Sequence, residues 1–266
     1  MKIKIITILM CLFISLSSHS KDITVPSPNS KNDERLNYFY DLMNLIIDDI
    51  NLSKSVDNMF KLKKTRKRMN SLRIMNKLES GYIDILWSMN SEDREKKLKA
   101  IKIPIMKNLI GLRVCLILEK HKSSFYKKLK EKSYKSLRYV QGRGWPDVRH
   151  LRAANLDVVE GEYKNLFSML RKRRADCFPR SILELDGEIK NKKLSYSIIA
   201  EDTFAIQYNT PMYFFVRKNN TKLHAEIERS LKKIIENGKF DKLFNRYYKD
   251  SLKKYNHKNR RIYKID

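Results

Sequence analysis

The sequence predicts an α/β protein of two lobes, each a mixed sheet flanked by helices, with two strands crossing between them. Three observations predict this. Strand-like and helix-like patterns alternate from residue 23 to residue 87, which is the signature of a sheet covered by helices. The same strand–helix–strand–helix–strand plan returns between residues 139 and 178. No Pro-, Gly- or Ser-rich tether divides the 266 residues, so crossing strands rather than a linker must join the lobes.

Residues 1–20 are set aside before the fold is read. Lys2 and Lys4 give a positive start, residues 5–16 an apolar run of 12, and Ser18-His19-Ser20 the small residues that a signal peptidase reads. This is a secretory signal peptide, and its apolar run falls short of the roughly 20 residues that a spanning helix needs. Cys11 lies inside that run. The mature chain is therefore expected to be free in the periplasm of a Gram-negative cell.

Ile23, Thr24 and Val25 form a β-branched strand that Pro26 and Pro28 stop. Asp33 is placed to cap a helix from Glu34, on which Leu36, Phe39, Tyr40, Met43, Ile46, Ile47 and Ile50 recur at helical spacing. A strand over 59–63, a helix over 67–79 ended by Gly81, and a strand over 82–87 complete the first unit. Trp87, Ser88, Met89 and Asn90 then lie at a strand's carboxyl end, where ligands of open α/β sheets bind.

The second unit begins with an apolar strand over 112–118 and a polar, Lys-rich stretch over 119–138. A strand at Tyr139-Val140 enters the turn Gln141-Gly142-Arg143-Gly144-Trp145-Pro146, and a helix follows. Strands over 157–159 and 175–178 flank a helix over 163–173, and Pro179 is read as the stop of the last strand. A strand over 212–217, a helix capped by Asn220 or Thr221 and ended by Gly238, and an amphipathic segment around Phe240, Leu243, Phe244 and Tyr247 close the pattern. The basic tail from Lys249 is expected to fray.

Composition narrows the function. Fifty-seven basic against 30 acidic residues give a net charge of +27, which attracts polyanions. The Lys residues are spread along a chain also rich in Ile and Asn, and no basic stripe interleaves with stacking aromatics. Nucleic acid is therefore not an expected partner. Cys115 and Cys177 remain after secretion, and sequence favours two separate buried thiols over a bridge. Neither the cysteines nor the five His residues have metal-ligand or Ser-His-Asp spacing, so no metal, no cofactor and no hydrolase chemistry are expected.

Four segments carry a resemblance. The first runs from Leu78-Glu79-Ser80-Gly81 through Trp87-Ser88-Met89-Asn90 to Ser91-Glu92-Asp93-Arg94. The second is Ile103-Pro104-Ile105, and the third Gln141-Gly142-Arg143-Gly144. The fourth joins residues 166–178, with their Ala175-Asp176 strand, to residues 211–248, with Tyr213-Phe214-Phe215-Val216 and Gly238-Lys239-Phe240. Together they resemble the family 3 periplasmic solute-binding proteins, whose best-known members serve polar amino acid ABC transporters. The resemblance implies the two-lobed type 2 periplasmic-binding-protein fold, with residues 21–109 and 213–266 as the first lobe and 110–212 as the second. It also implies a monomer that closes around a small solute and meets an inner-membrane ABC permease or a sensor.

The resemblance puts Arg94 where the family binds a ligand carboxylate, and a planar guanidinium suits that task. Read from its neighbours alone, Arg94 is a surface residue paired with Glu92 or Glu95. Ser88 and Asn90 share its strand end, and Arg143-Gly144 matches the turn that offers backbone N–H groups at a helix start. Trp87 and Trp145 suit either a sandwich around a ligand or core packing. The chain departs from the pattern where amino acid binders carry an Asp for the ligand ammonium. That place holds Arg180 or Ser181, and Arg143 replaces a small residue, so an anionic or neutral polar solute is expected instead of an α-amino acid.

Two other readings remain. One is an enzyme on the same scaffold, dehydratase-like, with Glu160, Glu162 or Glu184 as acid or base instead of solvated loop charge. The other is a basic envelope protein that holds acidic polymers without a pocket.

Overall fold

The computed structural model describes residues 21–27, 36–67, 69, 71–190, 197–256 and 258–265. The expected signal peptide and the expected cap at Asp33 lie outside them. The chain runs β1 (Lys21–Val25), α1 (Asn37–Asn51), β2 (Phe60–Lys64), α2 (Ser71–Glu79), β3 (Ile85–Met89), α3 (Glu92–Lys97) and β4 (Leu98–Ile101). It continues through β5 (Leu112–Leu118), α4 (Lys122–Lys132), β6 (Arg138–Gly142), α5 (Pro146–Ala153), β7 (Asp157–Gly161), α6 (Tyr163–Arg171), β8 (Phe178–Ser181), α7 (Leu185–Ile189), β9 (Ile198–Ala200) and β10 (Phe204–Gln207). It ends with β11 (Met212–Arg217), α8 (Thr221–Glu236), α9 (Lys239–Lys254) and β12 (Arg261–Lys264).

In the first lobe β1 and β2 pair in parallel, and β3, β11 and β4 form an antiparallel set. Asp84 joins the two sets: its N–H donates to Thr24 O at 2.8 Å, and its carboxylate accepts from Thr24 N–H at 2.7 Å. That use of Asp84 delays β3 to Ile85, three residues after the expected start. α1 packs Tyr38, Phe39, Leu42, Met43, Ile46 and Ile50 inward and lies along α8, where Ser230 donates to Ile46 O.

The second lobe repeats the plan. β6 and β7 pair in parallel, the bridge Tyr139–Cys177 leads on to β8, and β5 pairs antiparallel with β8, β9 and β10. Every residue of β5 is buried, as a strand covered on both faces requires. The two crossings run side by side, with Ile105 N–H donating to Met212 O and Tyr208 N–H to Gly111 O. A Cβ on Gly111 would stand 2.1 Å from the Tyr208 carbonyl, so only glycine allows this approach.

Three expectations are corrected. Pro179 does not stop a strand but sits inside β8, opposite Cys115. The N–H that proline lacks leaves no orphan, because the Cys115 carbonyl accepts from Glu201 N–H at 2.9 Å. Cys115 and Cys177 are not separate thiols but a disulfide, with Cα atoms 5.3 Å apart across 62 residues of chain. A loop of that length corresponds to about 4 kcal/mol of stabilisation in the chain-entropy account. The tail does not fray from Lys249: α9 continues to Lys254, and β12 pairs in parallel with β10.

The tail's path bears on the lobes. The sequence assigns residues 213–266 to the first lobe, yet β12 extends the second lobe's sheet. Arg260 anchors it, donating to Glu201 at 2.9 Å in a fully buried pair, and Tyr263 stacks on Tyr134 at 3.9 Å. Just before the crossing, the end of α9 meets α7: Asp186 accepts from Ser251, from Lys254 at 2.7 Å and from Tyr255 at 2.8 Å. A third connection therefore runs between the lobes.

Candidate ligand-binding cleft

Ser91 has extended backbone and caps α3, its hydroxyl accepting from Arg94 N–H, so Arg94 is fixed in the first turn beyond β3. Its Nη1 donates to Met89 O at 2.9 Å and to Ser91 Oγ at 3.3 Å. Its Nε is buried without an acceptor. Neither Glu92 nor Glu95 pairs with it; Glu95 instead accepts from Lys102 and from Asn90. Burial pulls the Arg94 pKa below the ordinary guanidinium value, against the opposing pull of Asp93. Its neighbour Asn90 keeps an unpartnered, buried side-chain oxygen, and Ser88 is half-buried within β3.

Arg94 and Ser91 share a cavity of about 880 Å³ with Gly144, Trp145 and Arg149 of the other lobe. The turn before α5 is built differently from the expectation that it approaches a ligand. The space over Gly142 is filled by the Trp145 indole, which a Cβ there would meet at 2.3 Å. The Gly144 N–H already donates to Glu160 at 3.2 Å, and Glu160 also pairs with Arg152 at 2.9 Å. Arg143 points to the surface, 71% exposed, beside Glu162, and does not line the cavity.

Behind Trp145 lies a second compartment of about 620 Å³, again lined from both lobes. Tyr38, Phe39, Trp87, Tyr247 and Tyr248 come from the first lobe, and Tyr163, Arg180, Glu184 and Glu188 from the second. Trp87 is buried and stacks on Phe39 at 5.2 Å, so its indole is a packed wall, not half of a sandwich with Trp145. Arg180 lies over Trp145 at 4.9 Å, pairing with Glu184 at 2.8 Å and Glu188 at 2.9 Å. Tyr163 donates to the far oxygen of Glu188 at 2.7 Å.

Beneath this layer Arg113 of β5, 3% exposed, pairs with Asp147 at 2.9 Å and Glu184 at 3.2 Å and donates to Tyr208 at 2.6 Å. Burial alone would lower the Arg113 pKa; Asp147, Tyr208 and Glu184 raise it instead, so it stays cationic. Burial raises the Tyr208 hydroxyl far above its usual range, and that group donates to Asp147. His150 stacks on Tyr208 at 4.6 Å, and burial with Arg149 holds its imidazole below the usual range, hence neutral at pH 7.

The structure thus gathers Arg94, Gly144 and Trp145 around one cavity and Trp87 and Arg180 around its neighbour. It leaves Ser88, Asn90 and Arg143 outside both linings. Sequence reasoning missed Arg113, Tyr163 and Glu188. Their only trace is the regular spacing Arg180, Glu184, Glu188, in a stretch that reads as neither helix nor strand. Glu160, Glu162 and Glu184 are each engaged by a basic side chain, so none stands as a free acid or base. Among the described residues no cluster of His, Cys, Asp or Glu fits a metal ion, and no helix is long and apolar enough to cross a membrane.

Comparison with known proteins bears on the fold. The family model of bacterial extracellular solute-binding proteins, family 3, matches residues 148–250. No curated protein matches in sequence. Solved structures share the fold at low identity. The probable amino-acid ABC transporter extracellular-binding protein ytmK of Bacillus subtilis is 18% identical, with a TM-score of 0.64 over 86% of this chain and 98% of its own. An arginine transport periplasmic binding protein of Legionella pneumophila is 12% identical, with a TM-score of 0.62 over 86% of this chain and 100% of its own. An ancestral amino acid-binding protein, a precursor of cyclohexadienyl dehydratase, is 14% identical with a TM-score of 0.56, over 86% of this chain and 95% of its own. Residues 148–250 thus match the family 3 solute-binding model, and the chain shares the two-lobed fold of these solved structures across most of its length.

Proposed function

We propose that this protein captures a small polar solute bearing an anionic group between its lobes in the periplasm. Closure about the connections between the lobes hands the solute to an inner-membrane permease or reports it to a sensor. One observation carries the reading. Arg113, Arg180 and Arg260, the buried arginines among the described residues, each meet a carboxylate. Arg94 at the cleft forms no ion pair among the described residues; its Nε has no hydrogen-bond acceptor, a feature it shares with the Nε of Arg180 and Arg217. A half-buried guanidinium without an acid favours an anionic ligand group with charge-assisted hydrogen bonds. A ligand touching both lobes stabilises the closed state by its differential affinity. Arg180 gives no support for a second anionic group, since Glu184 and Glu188 offset its charge.

The test is a thermal-shift screen of protein unfolded and refolded to strip bound solute, against amino acids, dicarboxylates, small phosphates and sugars. A ligand at about 100 times its dissociation constant adds roughly 2.7 kcal/mol, a visible change in midpoint. The expected hit carries a carboxylate or phosphate and loses its shift in Arg94→Ala. A hit unaffected by Arg94→Ala, or salt-sensitive retention on a polyanion with no hit at all, contradicts the reading.

A further inference from the structure

The basic residues are spread along the sequence but not evenly over the fold. In the first lobe the layer of α1 and α8 carries four basic against six acidic side chains. In the second lobe residues 119–138 carry eight basic against two acidic, and residues 171–176 four against one. All twelve of these basic residues are exposed except Lys128. The two segments meet: an Arg173 nitrogen lies 3.3 Å from His121 Nδ1, and Lys128 pairs with Asp176 at 2.6 Å. Glu131 and Asp157 engage Lys127 and Arg138 in the same way, and the face keeps a large positive excess. Topology puts it far from the cleft. β5 leaves the crossing at Leu112 and ends at Leu118, roughly 20 Å on at the rise of a strand. α6 starts at Tyr163, which lines the cleft, and ends at Arg171, while β6 starts at Arg138 and ends at Gly142 beside the cleft turn. Residues 119–138 and 171–176 thus form the end of the lobe opposite the ligand.

What this face lacks narrows its partner. Its aromatic side chains are engaged inward: Phe125 is buried, Tyr126 donates to Asp202 at 2.6 Å, and Tyr134 stacks on Tyr263 at 3.9 Å. No platform is left on which nucleic acid bases stack. The large exposed hydrophobic residues among the described ones all lie outside the two segments, so the face offers no apolar anchor of the kind that centres a protein interface. Exposed lysines and arginines on a face without pocket or anchor suit an extended sheet of negative charge, to which each adds a share of attraction. We propose that this end of the second lobe adsorbs on an anionic phospholipid bilayer by charge alone, without insertion. Held by the end opposite the cleft, the protein stays at the membrane with its cleft open to solution. The proposal stands independently of solute capture.

Flotation of the chain from Lys21 with vesicles of phosphatidylcholine alone, and with vesicles enriched in phosphatidylglycerol, tests it. The expected result is binding to the anionic vesicles at least about tenfold tighter at low salt, lost at high salt as the charges are screened. Two variants locate the surface, each changing exposed side chains only. Lys120→Gln with Lys122→Gln, Lys130→Gln, Lys172→Gln and Arg174→Gln should abolish the preference for anionic vesicles. Lys222→Gln with Arg229→Gln, Lys242→Gln, Lys249→Gln and Lys253→Gln, on α8 and α9, removes the same charge and should keep most of it. Equal losses in the two variants assign the binding to overall charge and overturn the proposal. So does a wild type that binds both kinds of vesicle alike, whatever the variants do. A single-stranded oligonucleotide that binds more tightly than the anionic vesicles at equal salt, and loses binding in the first variant alone, overturns the bilayer in favour of nucleic acid.

Discussion

Arg94 and Arg180 face one cleft from opposite lobes, and their surroundings differ. Arg180 lies over an indole and is flanked by Glu184 and Glu188 from its own lobe. Arg94 is held by a carbonyl and a hydroxyl, and among the described residues no carboxylate forms an ion pair with it, Asp93 acting on it only at longer range. A buried arginine that is neutralised within its lobe builds a wall. One left short of a counter-charge is kept for something that comes and goes. The difference separates structural from functional charge more sharply than burial does, since the more buried of the two is the one whose charge is already met by carboxylates.

If this contrast is right, changes on the Arg180 side should cost stability and changes at Arg94 should cost binding. The largest effect is expected for Arg113→Met, which strands Asp147 and half-strands Glu184. Breaking a buried pair this way costs about 3–5 kcal/mol, read as a lowered urea midpoint. Cys115→Ser with Cys177→Ser frees the sheet that carries Arg113 and Arg180 and should cost about 4 kcal/mol. An equal loss on adding reductant to wild type would confirm the source.

A smaller effect belongs to the contact between α7 and α9. Burial would raise the Asp186 carboxyl, but Lys254, Ser251 and Tyr255 push it down to about 2. A depressed carboxylate stabilises above its unfolded value, near 4, and loses that contribution as pH falls toward 2. Asp186→Asn should cost about 1 kcal/mol at neutral pH and remove that acid-sensitive share. The smallest effect on stability, below about 1 kcal/mol, is expected for Arg94→Ala, measured in the same urea series.

Much of this architecture is legible in the sequence. β5 and β11 fall on the predicted residues 112–118 and 212–217, because a largely apolar run, interrupted in β5 only by Arg113, has one natural place in a covered sheet. Arg94 is legible only through the family resemblance, since its neighbours alone read as a surface pair with Glu92 or Glu95; the Ser91 cap that fixes its turn is not read from the residues. The neutralisation of Arg180 was not legible, since its partners arrive from a turn and a short helix whose path the residues alone do not reveal. The disulfide was hidden for a related reason: Cys115 and Cys177 meet only because β5 lies beside β8. The tail misled because its polar, basic surface masks two anchors, Arg260 on Glu201 and Tyr263 on Tyr134.

Capture between the lobes is most directly tested by a distance. Spin labels at Tyr82→Cys, exposed in the first lobe, and Lys130→Cys, exposed on α4 of the second, report the separation with and without a saturating hit from the thermal screen. The account predicts that the separation shifts to a single, narrower distribution on binding and that Arg94→Ala keeps the unliganded distribution at the same concentration. A ligand that binds at full occupancy while leaving the distribution unchanged would contradict it.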